Sequence, residues 1–518
     1  MAFDLLIRGG TVVDGTAGAE PVQADVGIDG DRIVAIGALH DARGSAAEAR
    51  RVIDATGRIV SPGFIDVHVH GEAALLDGGD RYAEVAQGIT TQLLAPDGFG
   101  WARLDDARSR ELWEYTLFAY GEVDVRPPWA SIEEYLSLFE RTTPCNVVAQ
   151  VPHCAVRVEA MGWEARPASD DEIAAMERIT HAWMEAGARA LNLGLDYQPS
   201  ANADMRELVA LCRVAASYGG IYAAHQRYQL LGRAGAWDET IDLSLAAEIP
   251  VHVSHERVMS ESVAALERVE REKIDLTFES YLYAAGMTHL TMMLPMDLQE
   301  GAPEQVLQRL REPQVRERAV AHLADVLGDG RQICGFTRSG RHVGQTLAAI
   351  AGEQGRGVAE AAYDLLIEEE GLQAFVMPWG LSEEEVEATL AATCQHPRMM
   401  VASDGIYNVP HPHPRGTGCF ARVLGEMVRE RGLLSLSDAI YKMSGFPAER
   451  FGLRGRGRIA EGHAADLVVF DPATVAAGST FADPKLPPSG IGDVVVNGTP
   501  VIADGAPTGT MPGGVVRR

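Results

Sequence analysis

The sequence predicts an α/β protein whose middle is a closed (β/α)8 barrel of the TIM type and whose two ends form one small β-sandwich module. The middle of the chain alternates strand-like and helix-like segments about eight times, which is the pattern of a parallel sheet closed into a barrel. Both ends instead carry short apolar runs broken by glycine-containing turns. The length of 518 residues is enough for a large body plus a smaller module.

Residues 1–60 contain hairpin-like stretches, which read "DLLIRGGTVVDG", "ADVGIDGDRIVAIG" and "RVIDATGRIVSPG". Gly-Asp and Gly-Gly pairs between apolar runs are typical of β-turns. Residues 451–518 have the same character in "ADLVVFDP" and "IGDVVVNGTPVIADG". We therefore expect the two ends of the chain to meet in one β-sandwich module.

Residues 61–450 carry the alternation that predicts the barrel. The strand candidates are "ITTQLLAPDG", "NVVAQVPHCAVR", "ARALNLGLDY", "GIYAAHQR", "IPVHVSH", "IDLTFESYLY" and "RMMVASDG". Amphipathic segments such as "SDDEIAAMERITHAWMEAG" lie between several of them. A doubly wound open sheet is the alternative, but no GxGxxG motif opens the first helix. The stretch from about Met287 to Gly344 breaks the rhythm, so we expect an insertion over the barrel mouth there.

Composition excludes several classes of function. A net charge of −28 and a pI near 4.9 argue against a nucleic-acid partner, because phosphate binding needs a basic face. No signal peptide is recognisable at the start, and no apolar run approaches the roughly 20 residues that a membrane helix needs. The six cysteines form no CxxC pair, which favours reduced thiols and a cytoplasmic location. We expect a small-molecule partner, and the sequence leaves a homo-oligomer open.

The stretch "SPGFIDVHVHGE" ends in two histidines that share one strand face. Side chains alternate along a strand, so His68 and His70 point to one side while Val67 and Val69 point to the other. Two imidazoles on one face at a strand end suit a metal better than a core. A hydrogen-bonded structural pair is the alternative, and only matching ligands elsewhere decide between the two.

Matching side chains end other predicted strands. These are Asp97, His225, His255 and Asp404, and with His68 and His70 they give six imidazole or carboxylate groups at one rim. Any one of them alone would more often be structural, but six together favour a metal site. His252 lies mid-strand on the face opposite His255, and we interpret it as a core histidine. We leave His411 and His413, in a proline-rich loop, outside the ligand set.

Imidazoles and carboxylates with a free coordination position suit Zn²⁺. Zinc lowers the pKa of bound water from 15.7 to about 7 and polarises a carbonyl group. A nearby carboxylate can take the proton from the water and return it to a leaving nitrogen. Asp404, in an "SDG" turn after the last strand candidate, fits this catalytic role.

The chain resembles the amidohydrolase superfamily, and within it the N-acyl-D-amino-acid deacylases (D-aminoacylases), nearly from end to end. The motifs that carry the resemblance include "SPGFIDVHVHGE", "GLDYQP", "AAHQR", "VHVSHERV", "YLYAAGMT", "MMVASDG" and "HPRGTG". The resemblance implies a barrel with a small β-sandwich module. It places His68, His70 and Asp404 at one metal position and His225 and His255 at the neighbouring one. One or two Zn²⁺ ions, or another divalent metal, are therefore expected.

Two departures from the family pattern concern the metal. Asp97 stands in "APDG", where the deacylases usually carry a cysteine in a "GNCG" turn. A carboxylate is a harder ligand than a thiolate and holds zinc less tightly. The chain has three lysines, and none ends a strand before His225, so the carboxylated-lysine bridge of other superfamily members is disfavoured.

The resemblance also implies substrate-binding residues, which are Tyr197, Arg257, Tyr283, Thr288 and Arg415. Arg257 replaces the lysine that is usual in its segment, and its guanidinium can bind a carboxylate through two bonds. A surface ion pair with Glu256 or Glu261 is the alternative for Arg257. Arg415 is either a second anion contact or a loop anchor. Leu282 replaces the central proline of the usual "YPY".

The function expected from these residues is metal-dependent hydrolysis of a linear amide, namely an N-acyl-D-amino acid, to a carboxylate and a D-amino acid. Hydrolysis of a cyclic amide, an imide or a lactone on the same metal site is the main alternative. A barrel kept as a non-catalytic scaffold is disfavoured, because five of the six family ligands are intact and the sixth is a competent donor. A nucleobase deaminase is disfavoured because its HxxE pattern is absent after the fifth strand.

Overall fold

The computed structural model describes residues 3–39, 48–122, 129–371 and 373–517, which form an α/β fold. Its strands are β1 (Phe3–Val12), β2 (Val22–Asp29), β3 (Arg32–Gly37), β4 (Ala49–Asp54), β5 (Ile59–Pro62), β6 (Phe64–Asp66), β7 (Val69–His70), β8 (Ile89–Leu93), β9 (Asn146–Val148), β10 (Val151–Pro152), β11 (Ala190–Gly194), β12 (Ile221–His225), β13 (Val251–Val253), β14 (Leu276–Ser280), β15 (Ala285–His289), β16 (Ile333–Thr337), β17 (Gln373–Pro378), β18 (Met399–Val401), β19 (Gly405–Ile406), β20 (Leu467–Phe470), β21 (Ile491–Val496), β22 (Thr499–Ala503) and β23 (Ala506–Pro507).

Its α-helices are α1 (Glu72–Asp77), α2 (Asp106–Tyr120), α3 (Ile132–Ser137), α4 (His153–Met161), α5 (Asp170–Glu185), α6 (Met205–Ser217), α7 (Tyr228–Ala247), α8 (Ser260–Glu272), α9 (Pro303–Leu310), α10 (Pro313–Leu327), α11 (Leu347–Gln354), α12 (Val358–Glu368), α13 (Glu383–Gln395), α14 (Arg415–Arg422), α15 (Leu436–Met443) and α16 (Gly445–Arg450). In the described part of the chain, no helix combines the length and the apolar character that crossing a bilayer requires.

The two ends of the chain share one nine-stranded sheet. Its order is β23-β22-β21-β20-β5-β1-β2-β3, with β4 paired to β1. The ends meet where β5 pairs antiparallel with β20, so that Pro62 lies opposite Leu467. Alternate side chains of both ends, among them Ile7, Val26 and Val469, pack into one hydrophobic cluster. The expected meeting of the two ends in a sheet is therefore observed.

Parallel strands form the central part. A six-stranded parallel sheet has the order β10-β11-β12-β13-β14-β18, and β6, β8 and β9 form a second parallel set. Helices α4 to α8 alternate with these strands. The strands are buried along their whole length, as expected where other elements cover both faces of a sheet. Each strand candidate from the sequence contains at least one of these strands, and "NVVAQVPHCAVR" contains both β9 and β10.

A separate antiparallel unit interrupts the parallel strands between β14 and β18. Strands β15, β17 and β16 pair antiparallel, and helices α9 to α12 pack on them around a core that includes Leu290, Leu323 and Phe375. This unit runs from Ala285 to Pro378, whereas the expected insertion ended near residue 344. The difference arises because β17 pairs with β15, a partner distant in sequence that no local pattern reveals. We call residues 285–378 the insertion unit.

Candidate metal centre

The six predicted ligands lie where parallel strands end. His68 and His70 follow β6, Asp97 lies in a 3₁₀ turn (Pro96–Gly98) after β8, His225 is the last residue of β12, His255 follows β13, and Asp404 lies between β18 and β19. The carboxyl ends of parallel strands face the same way, so these side chains converge. All six are largely buried.

The ligand atoms lie within a few ångströms of one another. His68 Nε2 lies 3.7 Å from Asp97 Oδ1 and 3.7 Å from Asp404 Oδ1. His70 Nε2 lies 3.7 Å from Asp97 Oδ2 and 3.5 Å from Asp404 Oδ1.

The second pair of imidazoles approaches the same carboxylate. His225 Nδ1 lies 3.1 Å from His255 Nε2, which is 3.9 Å from Asp97 Oδ1. Three groups of three residues therefore have the spacing of a metal site: His68 with His70 and Asp97, His68 with His255 and Asp404, and Asp97 with His225 and His255. Asp97 and Asp404 each lie within reach of histidines from both pairs.

These side chains fit a divalent cation by two further observations. His68 Nε2 and Asp97 Oδ1 are buried without a hydrogen-bond partner among the described residues, a costly state that a bound cation relieves. The electrostatics agree. Burial opposes ionisation of Asp97, but His68 and its neighbours lower the Asp97 pKa to about 2. Burial also opposes protonation of His68, yet Asp97, Glu279 and Asp404 raise its pKa to about 10. The clustered carboxylates thus create a negative potential that favours positive charge.

Buried carboxylates orient the imidazoles from behind. Glu279 Oε1 lies 3.0 Å from His68 Nδ1, and Asp196 Oδ2 lies 3.0 Å from His225 Nε2. Such partners fix the ring orientation and leave the other nitrogen free for a metal. Sequence reasoning missed both residues. The signal for Glu279 was present, since a glutamate inside the apolar strand "LTFES" is buried only with partners.

His252 is a buried core histidine, as interpreted from its strand face. Its Nδ1 lies 2.8 Å from Thr277 Oγ1, and its Nε2 lies 2.5 Å from Glu279 Oε2. Glu279 therefore joins His252 to the ligand His68, and the two histidines together hold this carboxylate ionised. His252 therefore contacts Glu279, which supports the ligand His68, and is not itself in the ligand set.

Asp97 does not cap its own turn. The residue has a left-handed backbone with φ 54°, and the following Gly98 has φ 73°. Within the described residues, no hydrogen bond joins the Asp97 side chain to the turn, and the closest polar groups are the imidazoles of the centre. The turn aims the carboxylate inward instead of using it locally.

A cavity of about 200 Å³ opens above the centre. It is lined by His70, Asp97, Phe118, Tyr197, His225, His255, Tyr281, Gly286, Met287, Thr288, Met292, Met293, Met377, Asp404, Ile406 and Arg415. Three of the predicted substrate residues, Tyr197, Thr288 and Arg415, are among them. Arg415 Nη2 lies 2.8 Å from Asp404 Oδ2, and its guanidinium stacks 4.4 Å from the Tyr281 ring. Burial would raise the pKa of Asp404, but Arg415 and the histidines hold it far below its usual range.

The other two predicted substrate residues do not line this cavity. The Arg257 guanidinium lies 4.2 Å over the Trp379 ring and makes no ion pair within the described ranges. Burial lowers its pKa. Glu256, one expected ion-pair partner, instead binds Arg233 and accepts a 2.9 Å hydrogen bond from Tyr228.

Tyr283 points away from the centre. Its ring lies under the Arg422 guanidinium at 4.2 Å and edge-on to His413 at 5.1 Å. Tyr281, and not Tyr283, lines the cavity. The intervening Leu282 has a left-handed backbone with φ 55°, so the alternation of a strand does not carry through this segment.

Comparison with known proteins gives consistent matches over the chain. The model of the amidohydrolase family matches residues 51–364 and 377–502. A D-aminoacylase from Alcaligenes xylosoxydans xylosoxydans is 34% identical over 533 residues, which cover 100% of this chain and 98% of the relative. An N-acyl-D-glutamate deacylase from the same organism is 36% identical and covers 100% and 97%. The crystal structure of an N-acyl-D-glutamate deacylase from Bordetella bronchiseptica, complexed with zinc and a phosphonate inhibitor, is similar at 32% identity with a TM-score of 0.84 over 100% of both chains.

Proposed function

Because the chain belongs to the amidohydrolase family, we propose that it is a metal-dependent hydrolase of linear amides that converts an N-acyl-D-amino acid to a carboxylate and a D-amino acid. The observation that carries this proposal is the buried group of four histidines and two aspartates, with unpartnered ligand atoms, at the floor of a cavity. The D-configuration and the N-acyl group of the proposed substrate are inferred from the names of the relatives.

The proposed ligands are His68, His70, Asp97, His225, His255 and Asp404, and the proposed metal is Zn²⁺ or another divalent ion at one or two positions. When bound there, such an ion supplies a water of lowered pKa and polarises the scissile carbonyl. Asp97 is within 3.9 Å of imidazole nitrogens from both histidine pairs and is proposed as a shared carboxylate. Glu279 and Asp196 hold the rings in position from behind.

Asp404 is the proposed proton carrier. It accepts the proton of the attacking water and donates it to the leaving nitrogen. The 2.8 Å contact with Arg415 fixes one carboxylate oxygen, so that Oδ1 faces the histidines. Arg415 is thus better explained as the partner of Asp404 than as a free anion contact.

Tyr197 and Thr288 line the cavity and are proposed to contact the substrate. Arg257 is proposed to bind the substrate carboxylate, because it is a half-buried guanidinium without an ion pair in the described structure. Tyr281, which lines the cavity wall, raises the pKa of Arg257 and so opposes the effect of burial. Tyr283 is not carried into the proposed site, since Tyr281 occupies the wall instead.

We also propose the finer architecture expected from the sequence. The parallel strands from β6 to β18 close into a (β/α)8 barrel over residues 61–450, and residues 1–60 and 451–518 form the β-sandwich module. The side-by-side pairing of β19 with β7 supports closure, because it joins the end of the series to its beginning. The shared nine-stranded sheet supports the module.

The test is a hydrolysis screen of the full-length protein against N-acetyl-D- and N-acetyl-L-amino acids, with metal content measured on the same preparation. We expect turnover of D-substrates, its loss after prolonged chelation, and its partial return with zinc. Full activity in metal-free protein contradicts the proposal. Turnover of cyclic amides or lactones with no turnover of N-acyl amino acids would replace it with the alternative.

A further inference from the structure

The cavity above the metal centre has a charged floor and an apolar roof. The floor is the ligand set with Arg415. The roof consists of four methionines, Met287, Met292, Met293 and Met377, and all four belong to the insertion unit. We call these four residues the methionine roof.

The antiparallel pairing of β15 and β17 builds this roof. Met377 lies opposite Gly286, and Met287 lies opposite Val376, so the two methionines occupy diagonal positions on paired strands, and both line the cavity. The 3₁₀ turn Leu290–Met293 adds the other two, and Thr288 Oγ1 donates a 3.1 Å hydrogen bond to Met292 Sδ.

The described residues that line the cavity offer no unpaired cation to the roof. Among the residues that line the cavity, Arg415 is the only arginine or lysine, and it is already paired with Asp404 at 2.8 Å and stacked on Tyr281. Arg257, outside the lining, is a further guanidinium whose charge acts on Tyr281, and in the proposed function it binds the carboxylate common to every N-acyl amino acid. A second carboxylate on the substrate would therefore be buried against thioethers without a partner, which is strongly unfavourable.

On the basis of the proposed function, we propose that the enzyme selects N-acyl-D-amino acids with an uncharged, apolar side chain and excludes those of D-glutamate and D-aspartate. The methionine roof is the specificity-determining surface. Methionine side chains are flexible and polarizable, so they adapt to several shapes. Linear and branched apolar side chains should therefore be accepted about equally well, while charge is rejected.

The experiment uses the zinc-loaded full chain and four substrates: the N-acetyl derivatives of D-methionine, D-leucine, D-glutamine and D-glutamate. We expect kcat/KM for the methionine and leucine substrates to agree within about 10-fold and to exceed that for the glutamate substrate by about 100-fold or more. Glutamine has the shape of glutamate without its charge, so it separates charge from size. We expect its kcat/KM to lie between the two.

A variant pair tests the roof itself. Met292→Arg should invert the preference, lowering kcat/KM for the methionine substrate and raising it for the glutamate substrate. Met296→Arg is the matched control, since Met296 belongs to the same unit but does not line the cavity. It should leave the ratio unchanged. If Met292→Arg does not fold, Met377→Lys places the cation at a half-buried roof position instead.

The outcomes are distinguishable. Glutamate turnover equal to methionine turnover in the wild type overturns the inference while the proposed function stands, as does a ratio that neither roof variant changes. Absence of turnover for every N-acyl-D-amino acid overturns the proposed function, and the inference with it.

Discussion

Asp97 is the side chain that joins the two halves of the candidate metal centre. It faces His68 and His70 on one side and His255 on the other, at 3.7 to 3.9 Å. A carboxylate offers two oxygens and can bridge, and it is a harder ligand than a thiolate. We therefore expect this centre to hold zinc less tightly than a cysteine-containing one and to accept other divalent ions more readily.

Asp97→Ala should strip metal from the position beside His225 and His255 and abolish activity. The matched control is Asp105→Ala, because Asp105 caps α2 by accepting hydrogen bonds from two backbone amides. The control should lower the melting temperature by the equivalent of about 1 kcal/mol and leave the metal content intact. Asp97→Cys should restore tight zinc binding. Metal analysis of all three proteins tests whether Asp97 is a metal ligand. An Asp97→Ala protein with full metal content refutes that role.

Asp404→Asn should lower kcat by roughly 10²-fold or more, because the amide cannot accept a proton. The shape of the side chain is preserved, so the fold and the contact with Arg415 Nη2 should persist. Steady-state kinetics beside a thermal melt provides the measurement. A kcat within a few-fold of the wild type would remove Asp404 from proton transfer.

Arg257→Ala should raise KM for an N-acyl-D-amino acid by about 10- to 100-fold, the scale of a lost charged hydrogen bond. Arg268→Ala is the control, since Arg268 is held by carboxylates on the outer face of α7 and α8. An N-acyl amine without the carboxylate should be a poor substrate whose KM does not respond to Arg257. Equal turnover of that amine by the wild type would count against a carboxylate contact.

At the scale of elements, short left-handed turns set the direction of the functional side chains. The strand after which Asp97 stands ends at Leu93, and the 3₁₀ turn that follows packs on β11. A Cβ at Gly98 would lie 2.8 Å from the Asn192 carbonyl oxygen in β11. Glycine is thus required both for the positive φ and for the close approach. The position of the Asp97 carboxylate depends on this contact between turn and strand.

Gly98→Ala should therefore lower both stability and metal retention. Gly219→Ala separates the effect of the positive φ from that of the steric clash, because Gly219 has a similar φ of 67° and open space around its Cβ position. We expect the control to cost about 1 kcal/mol from the backbone alone. The Gly98 variant should cost about 1–3 kcal/mol more from the clash and should lose metal. Equal melting temperatures and equal metal content would show that the turn does not position Asp97.

At the scale of the whole molecule, local patterns predicted the central strands, and the six candidate ligands lie together at the ends of those strands. Each strand candidate was bounded by turn residues. The carboxyl ends of parallel strands lie on the same side of a sheet regardless of the length and conformation of the connecting loops. The ligand roles themselves stay predictions. Family membership was predicted from the motifs and is confirmed.

Non-local contacts account for what the sequence did not reveal. The insertion unit extends to Pro378 because β17 pairs with β15. Asp196 was missed because the role of a buried carboxylate depends on the imidazole that it contacts in the fold, whereas Glu279 was missed although its place in an apolar strand indicated a buried, partnered carboxylate. The resemblance assigned Tyr283 to the pocket, but Tyr281 lines the cavity, because the left-handed Leu282 interrupts the alternation that would place both tyrosines on one face.

Asp466 connects the terminal sheet to the parallel strands. It precedes β20, and its carboxylate binds Arg456, accepts a 2.8 Å hydrogen bond from the Asn497 amide, and lies 3.4 Å from Nδ2 of Asn146 in β9. Asp466 is buried, as is most of Arg456. Removing one partner of such a pair leaves the other charge uncompensated.

Asp466→Ala should therefore lower the free energy of unfolding by about 3 kcal/mol, because the Arg456 charge loses its partner. Asp493→Ala is the matched control in the same sheet. Its partner Arg58 is 38% exposed and lies 3.6 Å away, so we expect a loss below about 1 kcal/mol. Neither variant touches the metal centre, so metal content and kcat should match the wild type well below the melting temperature. A single cooperative transition shifted downward for Asp466→Ala indicates that the two parts of the molecule unfold together, whereas an unshifted transition means that this junction does not stabilise the fold.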